Sequence, residues 1–132
     1  MKNVKICLSR FQDGEEEINE YTGRMRFVNG KTVVSFDNEG TSHLLKITEE
    51  RMDWTRTTDH NKKKMSSGTS FLKGGVTSFD YYTPAGMIKM DIRTRLYEYK
   101  VSDTHEVRLS YTIEQGGEII SDYEVSIKIV EG

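Results

Sequence analysis

The sequence predicts an all-β fold: one antiparallel, up-and-down β-barrel of about 8–10 strands occupying residues 1–132 as a single domain. Three observations lead there. Val, Ile, Thr, Tyr, Phe and Trp number 45 of the 132 residues, whereas Ala and Leu together number 7. Strand formers therefore outnumber the best aliphatic helix formers about six to one. Apolar and polar residues alternate with period two from end to end. Glycine-containing turn signals punctuate that alternation at short intervals.

Val4, Ile6 and Leu8 alternate with Lys5, Cys7 and Ser9 in a first strand, which an acidic turn, Asp13-Gly14-Glu15-Glu16-Glu17, is expected to close. A second strand runs from about Ile18 to Val28 with Tyr21, Gly23, Met25 and Phe27 on one face. Gly23 in its middle predicts a bulge or sharp bend. Asn29-Gly30 is the best hairpin signal of the chain, because both central residues of a type I′ turn need positive φ. Strands follow over Lys31–Phe36, His43–Thr48 and Arg51–Thr57, the last with Met52, Trp54 and Arg56 on one face. Residues 58–75 are less regular: a polar segment separates Met65 from Phe71, and Gly74-Gly75 ends it.

Val76 to Tyr82 reads as a further strand, and Thr83-Pro84-Ala85-Gly86 as a type I turn with proline at its second position. The longest strand is expected over Met87–Tyr99, with Ile88, Met90, Ile92, Thr94 and Leu96 inward and Lys89, Asp91, Arg93 and Arg95 outward. Two more place Val107, Leu109, Tyr111 and Ile113, then Tyr123, Val125, Ile127 and Ile129, on one face, with Gly116-Gly117 turning between them. Strands with one wet face must hide the other in a sandwich or a closed barrel. Short polar connections and one very long strand favour the barrel.

Composition excludes several functions. No apolar run approaches the roughly 20 residues of a membrane-spanning helix. The amino terminus, charged and alternating, lacks a signal-peptide core, and one cysteine, Cys7, precludes an internal disulfide and multi-cysteine zinc patterns. A cytoplasmic protein is the expectation. His43, His60 and His105 lack metal-ligand spacing, and no cofactor is expected. A Gly-x-Ser-x-Gly elbow and a phosphate-cradling loop are absent, so the protein is read as non-enzymatic.

Charge is uneven although the formal total is −2. Residues 41–100 hold 11 basic and 7 acidic side chains, and residues 101–132 hold 2 and 7. Cross-strand pairing of Arg93 and Arg95 with Glu114, Asp122 or Glu124 accounts for this on a wet outer face.

Several residues form a wider pattern. Tyr81-x-Thr83-Pro84-x-Gly86 with Thr94 eight residues later, the Thr22-Gly23 pair, Arg56 and Leu109-x-Tyr111-x-Ile113 stand in order along nearly the whole chain. This set resembles the YwiB-like family of small bacterial β-barrel proteins. The resemblance implies a calycin-like, lipocalin-related barrel of cytoplasmic bacterial origin and implies no activity.

The interior supplies the leading functional expectation. If Met52 and Trp54 point inward, period two takes Arg56 inward too, and a buried guanidinium needs acceptors or an anion. A small apolar or amphipathic ligand would place its polar head on Arg56. Trp54, Met52, Met90 and Tyr81 would form the wall, and Thr94 and Tyr111 would supply hydrogen bonds. The structural alternative is that Arg56 stacks on Trp54 and bonds carbonyls as a plug. The alternative function is a protein- or RNA-interaction module using a basic loop of Lys62, Lys63, Lys64 and Lys73. There Tyr97 and Tyr99 would stack bases beside Arg93 and Arg95. A sequence pI of 5.9 argues against nucleic acid as the main partner.

Overall fold

Ten antiparallel strands form one continuous sheet in the computed structural model, which describes residues 1–60 and 63–132, with backbone alone for residues 60 and 63–65. They are β1 (Lys2–Gln12), β2 (Glu15–Val28), β3 (Lys31–Asn38), β4 (Thr41–Ile47), β5 (Arg51–His60), β6 (Lys63–Leu72), β7 (Val76–Thr83), β8 (Gly86–Val101), β9 (His105–Gln115) and β10 (Glu118–Glu131). Their order in space is β6-β5-β4-β3-β2-β1-β10-β9-β8-β7, so the first and last strands pair in the middle of the sheet. The sheet curls until its outer strands, β6 and β7, come together. No backbone ladder joins these two among the described residues. Instead the Thr77 hydroxyl donates to the Ser70 carbonyl, and the barrel is nearly closed along that seam.

The hairpins follow from glycine chemistry. Asn29 and Gly30 have φ of 50° and 75°, as a type I′ turn requires. Asp13-Gly14, Glu39-Gly40 and Gly116-Gly117 also place positive φ at both central positions. The first of these tightens the acidic turn expected over residues 13–17 to two residues, and Glu15–Glu17 begin β2. Pro84 and Ala85 keep negative φ with trans peptides, consistent with the type I turn. The irregular stretch after Thr57 resolves into the end of β5 and the whole of β6.

Period two fills the interior. Val4, Ile6, Met25, Val34, Leu45, Ile47, Met52, Phe71, Ile92, Val107, Leu109, Ile127 and Ile129 are buried in one cluster. Each large side chain so buried favours folding by about 1.5–3 kcal/mol before the entropy of ordering is counted. Gly23 forms no bulge: the register Val4↔Gly23↔Phe36 runs through it unbroken. A Cβ there would lie 2.3 Å from the Ser35 carbonyl oxygen, so the glycine permits a close approach of two strands.

A bulge does occur where none was expected. The pairing of β8 with β9 shifts between Thr94 and Leu96, which inserts Arg95 as an extra residue. Parity is reversed beyond it. Leu96 turns outward, 38% exposed, while Tyr97 turns inward, 2% exposed, and Tyr99 follows it. The expectation that Tyr97 and Tyr99 stand outside beside Arg93 and Arg95 is thereby corrected. The Tyr97 hydroxyl crosses the interior to donate to the Thr48 carbonyl at 2.7 Å, and that of Tyr99 donates to Thr32 Oγ1 at 2.8 Å. These two rings plug one end of the barrel.

On the outer wall Arg93 pairs with Glu114 at 2.9 Å and Arg95 with Asp122, the cross-strand neutralisation expected from the charge distribution. Exposed pairs of this kind contribute little each. Thr94 is buried beside the bulge, and its Oγ1 has no hydrogen-bond partner among the described residues. Thr94→Val should therefore leave stability unchanged or raise it by about 1 kcal/mol in urea denaturation. A loss larger than that would show that the hydroxyl is satisfied.

Candidate functional site

Up-and-down topology sends alternate turns to opposite ends. The turns at 29–30, 48–50, 73–75 and 102–104 gather at the end plugged by Tyr97 and Tyr99. Those at 13–14, 39–40, 84–85 and 116–117 surround the other end. There the inward positions become polar. On β1, parity carries on from Ile6 and Leu8 to Arg10 and Gln12. On β2 it reaches Asn19 and Glu17, opposite Leu8 and Arg10. Apolar filling at one end and polar lining at the other make a cup that is plugged at one end and open at the other.

Arg56 sits in its wall. Its guanidinium carbon lies 4.3 Å from the centroid of the Trp54 ring, and a terminal nitrogen is 3.4 Å from Thr69 Oγ1. No carboxylate among the described residues lies within ion-pairing distance of it. Burial lowers its pKa, and the like charge of Arg10 adds to this. Arg10 differs, with a contact to Glu17 at 3.3 Å. The mouth thus contains one compensated and one uncompensated guanidinium.

Aromatic rings hold Arg56 in place. Tyr21 stacks on Phe36 at 4.6 Å, Phe36 stacks on His43 at 4.6 Å, and His43 meets Trp54 edge-on at 5.9 Å. Strands β2, β3, β4 and β5 each contribute one of these rings, so the ladder follows the inner wall. Trp54 Nε1 donates to His43 Nδ1 at 3.0 Å, which leaves that imidazole neutral with its proton on Nε2. Burial, then Arg56, holds the His43 pKa below its ordinary value. Across the mouth Phe71, Tyr111 and Tyr123 form a second row, with centroids 4.7 and 5.1 Å apart. Burial pushes the Tyr111 hydroxyl up to about 12, which keeps it a donor.

One cavity opens between these rows and another beside the second row. The first, about 180 Å³, is lined by Arg10, Glu17, Tyr21, His43, Trp54, Arg56 and Tyr111, among others. The second, about 410 Å³, has an apolar wall that includes Phe71, Phe79, Tyr81, Met90, Ile92 and Ile113. Arg10, Arg56 and Tyr111 border both. A larger hollow, about 760 Å³, involves Lys5, Thr22, Arg24, Ser35, Asp37 and Ser42, whose parity puts them on the outer wall.

Of the residues singled out from sequence, Arg56 and Tyr111 border both inner cavities, Trp54 the smaller, and Tyr81 and Met90 the larger. Met52, fully buried, belongs to the filled core, and Thr94 lines neither cavity. Sequence reasoning missed Arg10, Glu17 and His43. The signal existed: Arg10 continues the parity of Ile6 and Leu8, and His43 that of Leu45 and Ile47. Of the basic loop, Lys62 and the side chains of Lys63 and Lys64 lie outside the described residues. Lys73 is exposed in the turn after β6, the full length of that strand from Lys63. His43 lies at the mouth and His105 at the plugged end. Among the described residues no helix is long and apolar enough to cross a membrane.

The family described as "Domain of unknown function (DUF1934)" matches residues 4–127. A crystal structure of the ywiB protein from Bacillus subtilis is similar at a TM-score of 0.70 and 15% identity, covering 98% of this chain and 90% of that one. No curated protein matches.

Proposed function

The chain belongs to the DUF1934 family, and we propose that this member binds a small amphipathic ligand, non-catalytically, in the open end of its barrel. One observation carries the reading. Arg56 is partly desolvated, has no carboxylate partner among the described residues, and borders two cavities at once. A guanidinium left in that state is costly unless something satisfies it. The larger cavity, about 410 Å³, falls within the roughly 300–1,000 Å³ of small-molecule sites. Its wall is apolar and its rim polar, which suits a ligand with one polar head. The calycin-like character and bacterial, cytoplasmic setting that the resemblance to the YwiB-like family implies accord with such a ligand-binding barrel, and the lone cysteine accords with that setting. No observation favours the alternative of an RNA-stacking surface, since Tyr97 and Tyr99 face inward.

Native mass spectrometry of the full chain purified from its own cells tests the reading. A small molecule retained by the wild type and lost from Arg56→Met is expected. That variant removes an unpaired charge, so its stability should equal or exceed the wild type's. A wild type without bound small molecule, co-purifying instead with a macromolecule, would refute ligand binding. An Arg56→Met barrel destabilised by more than about 2 kcal/mol would identify the arginine as a structural plug.

A further inference from the structure

We propose that the ligand's head is a monoanion of the carboxylate class, and that Glu17 sets the limit of one negative charge. This rests on the ligand-binding reading above and adds the charge class to it. Among the described residues, the charged side chains bordering the two inner cavities are Arg10, Arg56 and Glu17. His43, which accepts from Trp54, is neutral. Two guanidiniums against one carboxylate leave the described lining of these cavities a single positive charge in surplus.

A carboxylate would cancel that surplus. It matches the fork of Arg56 in planar geometry, and charge-assisted pairs of this kind are the strong ones. The Tyr111 hydroxyl has no hydrogen-bond partner among the described residues and borders the same space, so it is free to donate to the second side of the head. An uncharged head would leave Arg56 unpaired while removing more of its water.

A second negative charge meets a different environment. The Glu17 carboxylate accepts from Arg10 at 3.3 Å and from Asn19 at 3.3 Å. A dianion on Arg56 would compete with Glu17 for Arg10, and its own charge would repel that carboxylate across a partly desolvated space. Glu17 itself is mostly exposed, so removing its charge does not threaten the fold. The tail would pass from Arg56 toward Phe71, Phe79, Met90 and Ile113, away from the mouth's charges.

Isothermal titration of the full chain with decanoate, decanol and decyl phosphate separates these claims. At pH 8 the phosphate group carries about two charges. Decanoate should bind at least about tenfold more tightly than decanol. Decyl phosphate should bind more weakly than decanoate, and Glu17→Gln should narrow that gap. Equal affinity for decanoate and decanol would overturn the anionic head while leaving ligand binding standing. Decyl phosphate binding as tightly as decanoate would overturn the one-charge limit, and a gap unchanged in Glu17→Gln would overturn the role of Glu17. Failure of all three probes to bind would overturn this inference and the reading beneath it together.

Discussion

Gly23→Val should abolish the cooperative unfolding transition, and Gly23→Ala should already cost more than about 4 kcal/mol in urea denaturation. The backbone there is not strained, so the effect is purely one of space. An added Cβ would lie 2.3 Å from the Ser35 carbonyl oxygen, 2.9 Å from Ile6 Cδ1 and 3.1 Å from the Phe36 Cβ. Ile6 can shift its methyl group, but Ser35 cannot move its carbonyl without disturbing the β2–β3 ladder, in which Arg24 pairs with Ser35. Phe36 also carries the stacked rings of Tyr21 and His43. Displacing it would propagate into the wall beside Arg56. A loss below 1 kcal/mol for Gly23→Ala would mean that the two strands do not approach as described.

The second large effect is expected at Trp54. Truncation to alanine should cost about 3–5 kcal/mol, the range for a buried aromatic. The indole is 8% exposed, packs in the main core, and donates to His43. Trp54→Phe separates the contributions: it keeps an aromatic ring in the wall and removes the N–H, so it should cost about 1–2 kcal/mol. If alanine and phenylalanine cost the same, the hydrogen bond to His43 rather than packing dominates the site. Since Trp54 is the only tryptophan, near-ultraviolet circular dichroism of the alanine variant also reports whether the remaining tyrosines keep their packing.

Much of this barrel was legible because period-two alternation survives wherever one face is buried and the other wet. Strand identities and the Asn29-Gly30 and Pro84-Ala85 turns followed from local chemistry. What failed was parity across the Arg95 bulge. Nothing in Ile92-Arg93-Thr94-Arg95-Leu96-Tyr97 announces an inserted residue, because Thr94, Leu96 and Tyr97 are all acceptable strand residues on either face. The bulge is fixed by β9, whose Tyr111 and Ser110 pair with Thr94 and Leu96. That information lies outside the segment.

The site divided similarly. Arg56 was readable from its own strand, through Met52 and Trp54. Its lack of a partner was not, because that depends on which carboxylates other strands bring near. Arg10 and His43 were hidden for a different reason: the apolar alternation that marks an inward face stops where the barrel becomes wet, although the pleat continues. A cup lined by polar residues therefore looks, in sequence, like the end of a strand.

The β1–β10 ladder has a consequence for the order of events in folding. Every other pairing in the sheet joins neighbours in sequence, whereas this one spans nearly the whole chain, from Val4 to Glu131. Gly132 completes it by donating to the Asn3 carbonyl at 3.0 Å. The seam between β6 and β7, by contrast, is bridged by a three-residue turn. The chain's own ends and the sheet's open edge thus lie on different sides of the barrel. Circular permutation that joined Gly132 to Met1 and began the chain at Gly75 would turn the molecule into a pure meander. Such a meander has lower contact order: every ladder forms in small hairpin steps, and only the ladder-free β6–β7 seam is left to close end to end. In the natural chain one long search for a ladder remains, and the last strand must be made before the first can be fully paired.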